Sequence, residues 1–248
     1  MMRKHNFIAA AIVALLSAVA MVSCSDDDKD EWYYPAGLPN AIVTVKPVAD
    51  KDSFYMQLDD STRLLPLNIR KSPYGDKEVR AFINFSYAEQ PGNTRDFKVY
   101  INWMDSILTK TMSPDLGSTE NISKYGQDPV ELLRNWTVSE DGYLTLNFMT
   151  KGGQGTVHYV NLVASNPSNP YEVTFYHKLE GYGYDSREAQ GVVAFRLDKL
   201  PDTGGKTVDL TVRWKSYEGD KTTTFKYTTR KASKAGELRP GEYMKNVR

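Results

Sequence analysis

The chain has 248 residues, 40% of them hydrophobic and 25% charged, a composition that can build packed cores and excludes wholesale disorder. Its 31 basic and 31 acidic residues cancel, so no nucleic-acid partner is expected. A single Cys excludes an internal disulfide and any multi-cysteine metal site.

Residues 1–23 open with Arg3 and Lys4, continue through the uncharged, largely apolar run from Phe7 to Val22, and close on Ser23. These are the parts of a removable secretory signal. The run is 16 residues long, short of the roughly 20 that a spanning helix needs. Cys24 directly follows Ser23, and Met21-Val22-Ser23-Cys24 resembles the lipobox of bacterial lipoproteins, with Met21 in place of the usual Leu. Several acyl chains on that thiol, each buried methylene contributing about 0.8 kcal/mol, would hold the mature chain on a membrane without spanning it. Residues 24–35 form an acidic tether, because Ser25 to Glu31 sets five acids against Lys29 and such a run stays solvated. A calcium loop fails there: Glu31 stands where Gly is required and Gly37 where the bidentate Glu is required. An acidic run directly after a lipidated Cys resembles the signal by which Bacteroides-type bacteria send lipoproteins to the outer face of the outer membrane. The expected location is therefore the outer membrane, lipid-anchored and facing the exterior.

Beyond residue 40, apolar residues recur with period two and break at turn signals, which predicts strands. Ile42 to Pro47, Phe54 to Leu58 and Leu64 to Ile69 are short runs; Val79 to Tyr87 and Phe97 to Trp103 alternate around the turn Gln90-Pro91-Gly92-Asn93. Five strands suffice for a small barrel or half-open sheet over 36–117. Periodicity lapses between Ser113 and Gln127, where the domain boundary is placed. Asp128-Pro129-Val130-Glu131 then reads as a helix start, with Asp as N-cap, Pro at the first helical position and Glu completing a capping box. Alternation resumes in Leu144 to Phe148, Val173 and Phe175, Val193 to Leu197, Val208 to Trp214, and Phe225 to Tyr227. Regular strands with Gly, Pro and Asn turns predict a sandwich over 118–232, followed by a loosely held tail, 233–248.

Several segments carry a resemblance: the lipobox and acidic run, Trp103 to Lys110, Asp128-Pro129-Val130-Glu131, Trp136, Asp141 to Leu146, His158 to Leu162, Pro170 to Val173, Gly191 to Leu197, Leu200 to Thr203 and Trp214-Lys215-Ser216. In that order they resemble the NigD-like lipoproteins of Bacteroides and Prevotella relatives. The resemblance implies an all-β chain, an N-terminal OB-type barrel followed by a C-terminal β-sandwich. The family name comes from a bacteriocin-associated gene cluster, which implies immunity or secretion support. The resemblance brings no catalytic residues, and only Cys24 carries over with a chemical role.

The remaining candidates come from the residues themselves. A nucleophilic triad needs a His beside a Ser or Cys and an orienting acid; the mature chain offers His158 and His177, and no Gly-x-Ser-x-Gly elbow. Each His shares the apolar phase of its segment, and pairing Ala164 with Tyr171 would set the two opposite each other, as a metal-holding or pH-sensitive contact or as a hydrogen-bonded core pair. Gly204-Gly205-Lys206-Thr207 imitates a phosphate loop but has Leu200 in place of the leading Gly, and reads as a hairpin turn. Tyr182 and Tyr184 in a glycine loop, and Trp32-Tyr33-Tyr34, suit sugar stacking or a protein partner. Asp60-Ser61-Thr62 and Asp105-Ser106-Ile107 resemble O-glycosylation sites of Bacteroides-type exported proteins. The expected function is a non-catalytic surface lipoprotein that takes no cofactor. It would bind an unknown protein partner, in bacteriocin immunity or envelope function, with a glycan-binding module as the alternative.

Overall fold

Strict alternation would leave one face of each strand to water, yet the first strand, β1 (Ala41–Pro47), is buried at every position from Ala41 to Lys46. Val43 and Val45 point into a barrel, while Ile42, Thr44 and Lys46 point out of it against the second domain. The computed structural model describes residues 37–48, 52–90, 92–153, 155–181 and 187–230, all in the unit Tyr34–Arg248. The expected signal, Cys24, the tether, Trp32-Tyr33-Tyr34, Tyr182, Tyr184 and the tail lie outside those residues.

The barrel adds β2 (Phe54–Gln57), β3 (Arg63–Pro66), β4 (Val79–Tyr87) and β5 (Asp96–Ser106). It closes in the order β1-β2-β3-β5-β4, with only β3 and β5 parallel. Val43, Val45, Phe54, Met56, Leu64, Ala81, Ile83, Val99 and Ile101 fill it, and Ile69 and Tyr74 from the β3–β4 connection pack against that core.

The second domain holds β6 (Leu108–Thr111), α1 (Ser118–Tyr125), β7 (Glu131–Glu140), β8 (Tyr143–Lys151), β9 (Thr156–Val163), β10 (Glu172–Gly181), β11 (Glu188–Arg196), β12 (Val208–Ser216) and β13 (Gly219–Tyr227). Two four-stranded sheets, β6-β11-β8-β7 and β13-β12-β10-β9, face each other. Leu144, Leu146, Phe148, Val193 and Phe195 meet Val160, Leu162, Phe175, Leu210 and Val212 between them. The helix covers part of the second sheet's outer face, where Tyr125 packs with Val163 and Tyr176. The all-β class and the barrel-then-sandwich order are as expected.

Three details differ from the sequence reading. The helix expected from Asp128 is absent: Glu131–Glu140 is the edge strand β7, paired with β8, and the helix is Ser118–Tyr125, inside the segment read as aperiodic. The boundary expected between 117 and 118 falls earlier, because β6 pairs in parallel with β11 of the sandwich. Gly204-Gly205 forms a tight turn with both glycines at positive φ and Lys206 N bonded to Thr203 O, but β11 and β12, which it connects, lie in different sheets, so it is no hairpin.

The outward faces of β1 and β4 lie on the outer face of the first sandwich sheet. Ile42 and Phe82 meet Ile107, Trp136, Tyr143, Val192 and Ala194 in an apolar cluster. Trp136 reaches it from a bulge in β7, where pairing with β8 shifts between Leu133 and Val138 and its own φ is +64°; its ring meets Phe82 edge-on at 5.4 Å. Beside the cluster, Lys46 pairs with Asp141 at 2.7 Å, both side chains buried. Arg80, fully buried, donates to Thr44 Oγ1 at 3.0 Å. Glu78 accepts from the Tyr143 hydroxyl and, at 2.6 Å, from Arg230. Burial pushes the Tyr143 phenol up to about 12, helped by the Glu78 carboxylate. Burial would raise the Glu78 carboxyl too, but the bonds from Tyr143 and Arg230 outweigh it and hold it below its ordinary value.

Candidate functional site

At the end of the sandwich where β8, β10 and β12 finish, the core is closed by two rings. His158 continues the inward phase of Val160 and Leu162 on β9, and His177 that of Val173 and Phe175 on β10. The two are not opposite one another as expected: His158 faces Leu179 and His177 faces Val160. The turn that starts the hairpin is longer than Ala164 pairing with Tyr171 would require, because Asn169 N bonds back to Asn166 O and Glu172 N to Asn169 O. The rings nevertheless meet diagonally, stacked at 13° with centroids 5.2 Å apart and His158 Nδ1 2.9 Å from His177 Nε2.

The proton positions follow from the partners. His177 Nδ1 lies 3.2 Å from the Asp128 carbonyl oxygen, which only accepts, so Nδ1 carries the hydrogen. In a neutral ring Nε2 is then the acceptor, and His158 Nδ1 donates to it. Burial lowers the pKa of both rings, for His177 against the opposing pull of the Asp128 carbonyl bond. Gly152 closes over the pair: a Cβ there would stand 2.8 Å from His158 Nε2 and Cε1.

The segment after α1 makes the other wall. Gly126, at φ +81°, lies against the backbone of His177 and Lys178. Asp128 N then bonds to His177 O and Val130 N to Lys215 O, so this stretch fills the gap where β10 and β12 part. The Asp128 carboxylate accepts from Leu179 N at 2.7 Å. A cavity of about 170 Å³ remains, lined by Asp128, Thr174, His177, Arg213, Trp214 and Lys215 among others. Tyr217, half-exposed in the β12–β13 turn, accepts from Lys151 N at 2.9 Å and has the Lys151 ammonium 5.3 Å from its ring centre. The connection that carries Tyr182 and Tyr184 leaves from Gly181, paired with Thr156, and returns at Arg187, whose carbonyl accepts from Gly152 N at 3.0 Å. Asp128 was read as a helix cap, and no motif marks Gly152 or Tyr217.

In this arrangement the two rings bond to each other rather than converge on a common point. Two imidazole ligands of a tetrahedral zinc at about 2.0–2.1 Å each stand about 3.3 Å apart with both lone pairs on the metal, whereas here one nitrogen donates to the other. Among the described residues no three His, Cys, Asp or Glu side chains gather around a metal position. The two candidate modification sites lie elsewhere, both exposed: Ser61 in the β2–β3 turn, its hydroxyl donating to Asp59 Oδ1 at 3.0 Å, and Ser106 at the end of β5. Asp60 turns to the domain junction, accepting from Asp141 N at 2.7 Å.

Comparison with known proteins agrees with this architecture. The model of the NigD-like N-terminal OB domain matches residues 42–107, and that of the NigD-like C-terminal beta sandwich domain matches 111–227. A protein of Parabacteroides distasonis, provisionally named toxin-related, is 34% identical over 76% of this chain and 92% of its own, with a TM-score of 0.61. A protein of unknown function from Bacteroides vulgatus is 19% identical over 75% and 89%, at 0.60. A NigD-like immunity protein from Bacteroides caccae is 20% identical over 79% and 99%, at 0.55. No curated protein matches the chain. With both domain models matched in order along the barrel and the sandwich, the chain belongs to the NigD-like family.

Proposed function

We propose that the chain is a lipid-anchored outer-membrane protein without catalytic activity or cofactor. It is held through acylated Cys24, faces the cell exterior, and binds a macromolecular partner through the loop-bearing end of its sandwich, in bacteriocin immunity or envelope function. The observation that carries this reading is the histidine pair: the two imidazoles at that end are bonded to each other and to a backbone carbonyl, kept neutral by burial. They close the core there and supply no poised acid or base. The name of the Bacteroides caccae relative supports immunity as the role. Deleting the protein should sensitise its host to bacteriocins of neighbouring strains, and the intact chain, but not Tyr217→Ala combined with Tyr182→Ala and Tyr184→Ala, should restore resistance. Unchanged sensitivity would remove the immunity role. Protease shaving of intact cells tests the orientation, with a periplasmic protein as control.

Glycan binding is the second reading, favoured by the half-exposed ring of Tyr217; a glycan array that stays blank would end it. Ser61 and Ser106 are proposed as O-glycosylation sites on their exposure, and an unmodified intact mass from the native host would exclude both.

A further inference from the structure

We infer that the outer edge of β13 pairs with the same edge of a second copy of this chain, joining two sandwiches through one continuous sheet. The other three edges of the sandwich's two sheets are guarded, interrupted or short. Lys110 and Ser113 reach the carbonyls of Val160 and Leu162 at 2.6 and 2.8 Å and cap β9, β7 is broken by its bulge, and β6 is four residues long. β13 runs nine residues without a proline and without a break in its register with β12. Among the described residues no strand pairs with its far side. β7, in the opposite sheet, is tied to β13 through Glu131 and Lys221 at 3.2 Å. Further along, a cavity of about 180 Å³, lined by Arg134, Thr137, Thr223 and Phe225 among others, separates the two. A long, regular strand edge of this kind is a template for another strand.

The backbone fixes which residues face outward. Thr211 N bonds to Tyr171 O, and Lys215 O accepts from Val130 N, so both residues turn their backbone groups away from β13. The residues opposite them, Thr224 and Asp220, therefore turn away from β12, and by alternation so do Thr222 and Lys226. All four side chains are exposed. An antiparallel partner brought up about a two-fold axis at Thr223 sets Asp220 opposite Lys226 of the second copy and Thr222 opposite its Thr224. Every outward-facing residue of both strands is then used, each pair exchanging both of its backbone bonds. The charges match in the same register. Within one chain Lys215 pairs with Asp220 at 3.2 Å and Lys226 with Asp209 at 2.6 Å. Across the joint the row reads Lys215, Asp220, then Lys226 and Asp209 of the second copy, alternating in sign throughout. Slipping the strand by two residues either way leaves Asp220 opposite a threonine, Thr224 or Thr228. This complementarity selects a second copy over an unrelated strand, and a two-fold joint closes on itself instead of propagating into a fibre.

The test uses the full-length chain in the membranes of its native host. Thr223→Cys stands against its own copy at the axis, where opposite Cα atoms of a non-hydrogen-bonded pair lie about 4.5 Å apart, within reach of a disulfide. The parent chain, whose one Cys is Cys24, gives the background, and Tyr159→Cys, exposed on β9, controls for random collision. Expected under mild oxidation is a covalent dimer from Thr223→Cys and from neither control. Adding Asp220→Lys, or separately Lys226→Asp, sets like charges opposite at both symmetric positions and should cut the dimer roughly ten-fold. The two charge variants expressed together should restore it, because each finds in the other the charge it lacks. Thr223→Cys chains that accumulate normally yet stay monomeric overturn the pairing. So does equal crosslinking at 159, or a dimer indifferent to both charge variants. Sedimentation of the detergent-extracted parent chain gives a readout free of substitutions, with two chains per particle expected and one overturning the inference.

Discussion

Lys46 and Asp141 occupy positions that look solvent-facing in the sequence, yet both are buried at the junction, joined at 2.7 Å. Arg230 offers Asp141 only a second cation at 3.6 Å. Removing one member leaves a desolvated charge, so Lys46→Met should destabilise by about 3–5 kcal/mol. Adding Asp141→Asn, a residue that tolerates the positive φ found there, should recover part of that loss in chemical denaturation. The histidine pair predicts a pH dependence of definite sign. Both rings have lowered pKa in the fold, so below about 6.5 the unfolded chain binds protons that the folded chain refuses. Stability should be complete above that pH and fall on acidification; a double variant, His158→Gln with His177→Gln, should flatten the thermal midpoint between neutral and mildly acidic pH. A separate loss belongs lower, where the Glu78 carboxyl, held below its ordinary value of 4.5, takes up its proton. The meeting of the two histidines was legible because both lie in an apolar phase. Lys46 and Arg80 were not, because alternation cannot tell a water-facing position from one that another domain covers.

Among the elements, the segment from Gly117 to Glu140 shows how local signals lose. Asp128-Pro129-Val130-Glu131 carries the residues of a helix start, but its backbone is used by Asp128 and Val130 to bond β10 and β12, and Leu132 and Leu133 continue as partners of Phe148 and Asn147. The true helix had quieter marks: flanking Gly117 and Gly126, an acid at Glu120 and a base at Lys124. Asn121, fully buried, braces it by donating to Asp115 at 2.7 Å and accepting from Leu116 N at 2.9 Å. Gly126 is where this route is least forgiving. A Cβ there would stand 2.5–2.7 Å from Lys178 and the His177 carbonyl, at a φ of +81°. Gly126→Ala should cost at least about 2 kcal/mol and disturb the histidine pair, read by the imidazole resonances. The short β6 escaped notice because its outward Leu108 is 61% exposed and four residues carry too little periodicity.

In the whole molecule, barrel and sandwich share one apolar cluster and one polar network, so they should unfold together. Trp136 is the most separable part of that joint. Trp136→Ala removes the ring that meets Phe82 and should cost about 3 kcal/mol; calorimetry should then resolve two transitions where the native chain shows one. Two β domains and their order were readable from strand spacing, and the barrel type from the family resemblance, while their packed union was not, since it depends on a bulge at Trp136 and on charges that pair across long stretches of chain. The bond between Arg230 and Glu78 has its own consequence for synthesis. The wall formed by β1 and β4 is made early, but its cover comes later, from β7, β8 and β11, and its clasp last, from Arg230 beyond β13. A chain cut short before β7 would display Ile42 and Phe82 with only Ile107 of their cover, and one cut just before Arg230 would keep the cover but lose the clasp on Glu78. The fold thereby carries a check on its own completeness, leaving truncated copies open to proteases that finished ones resist.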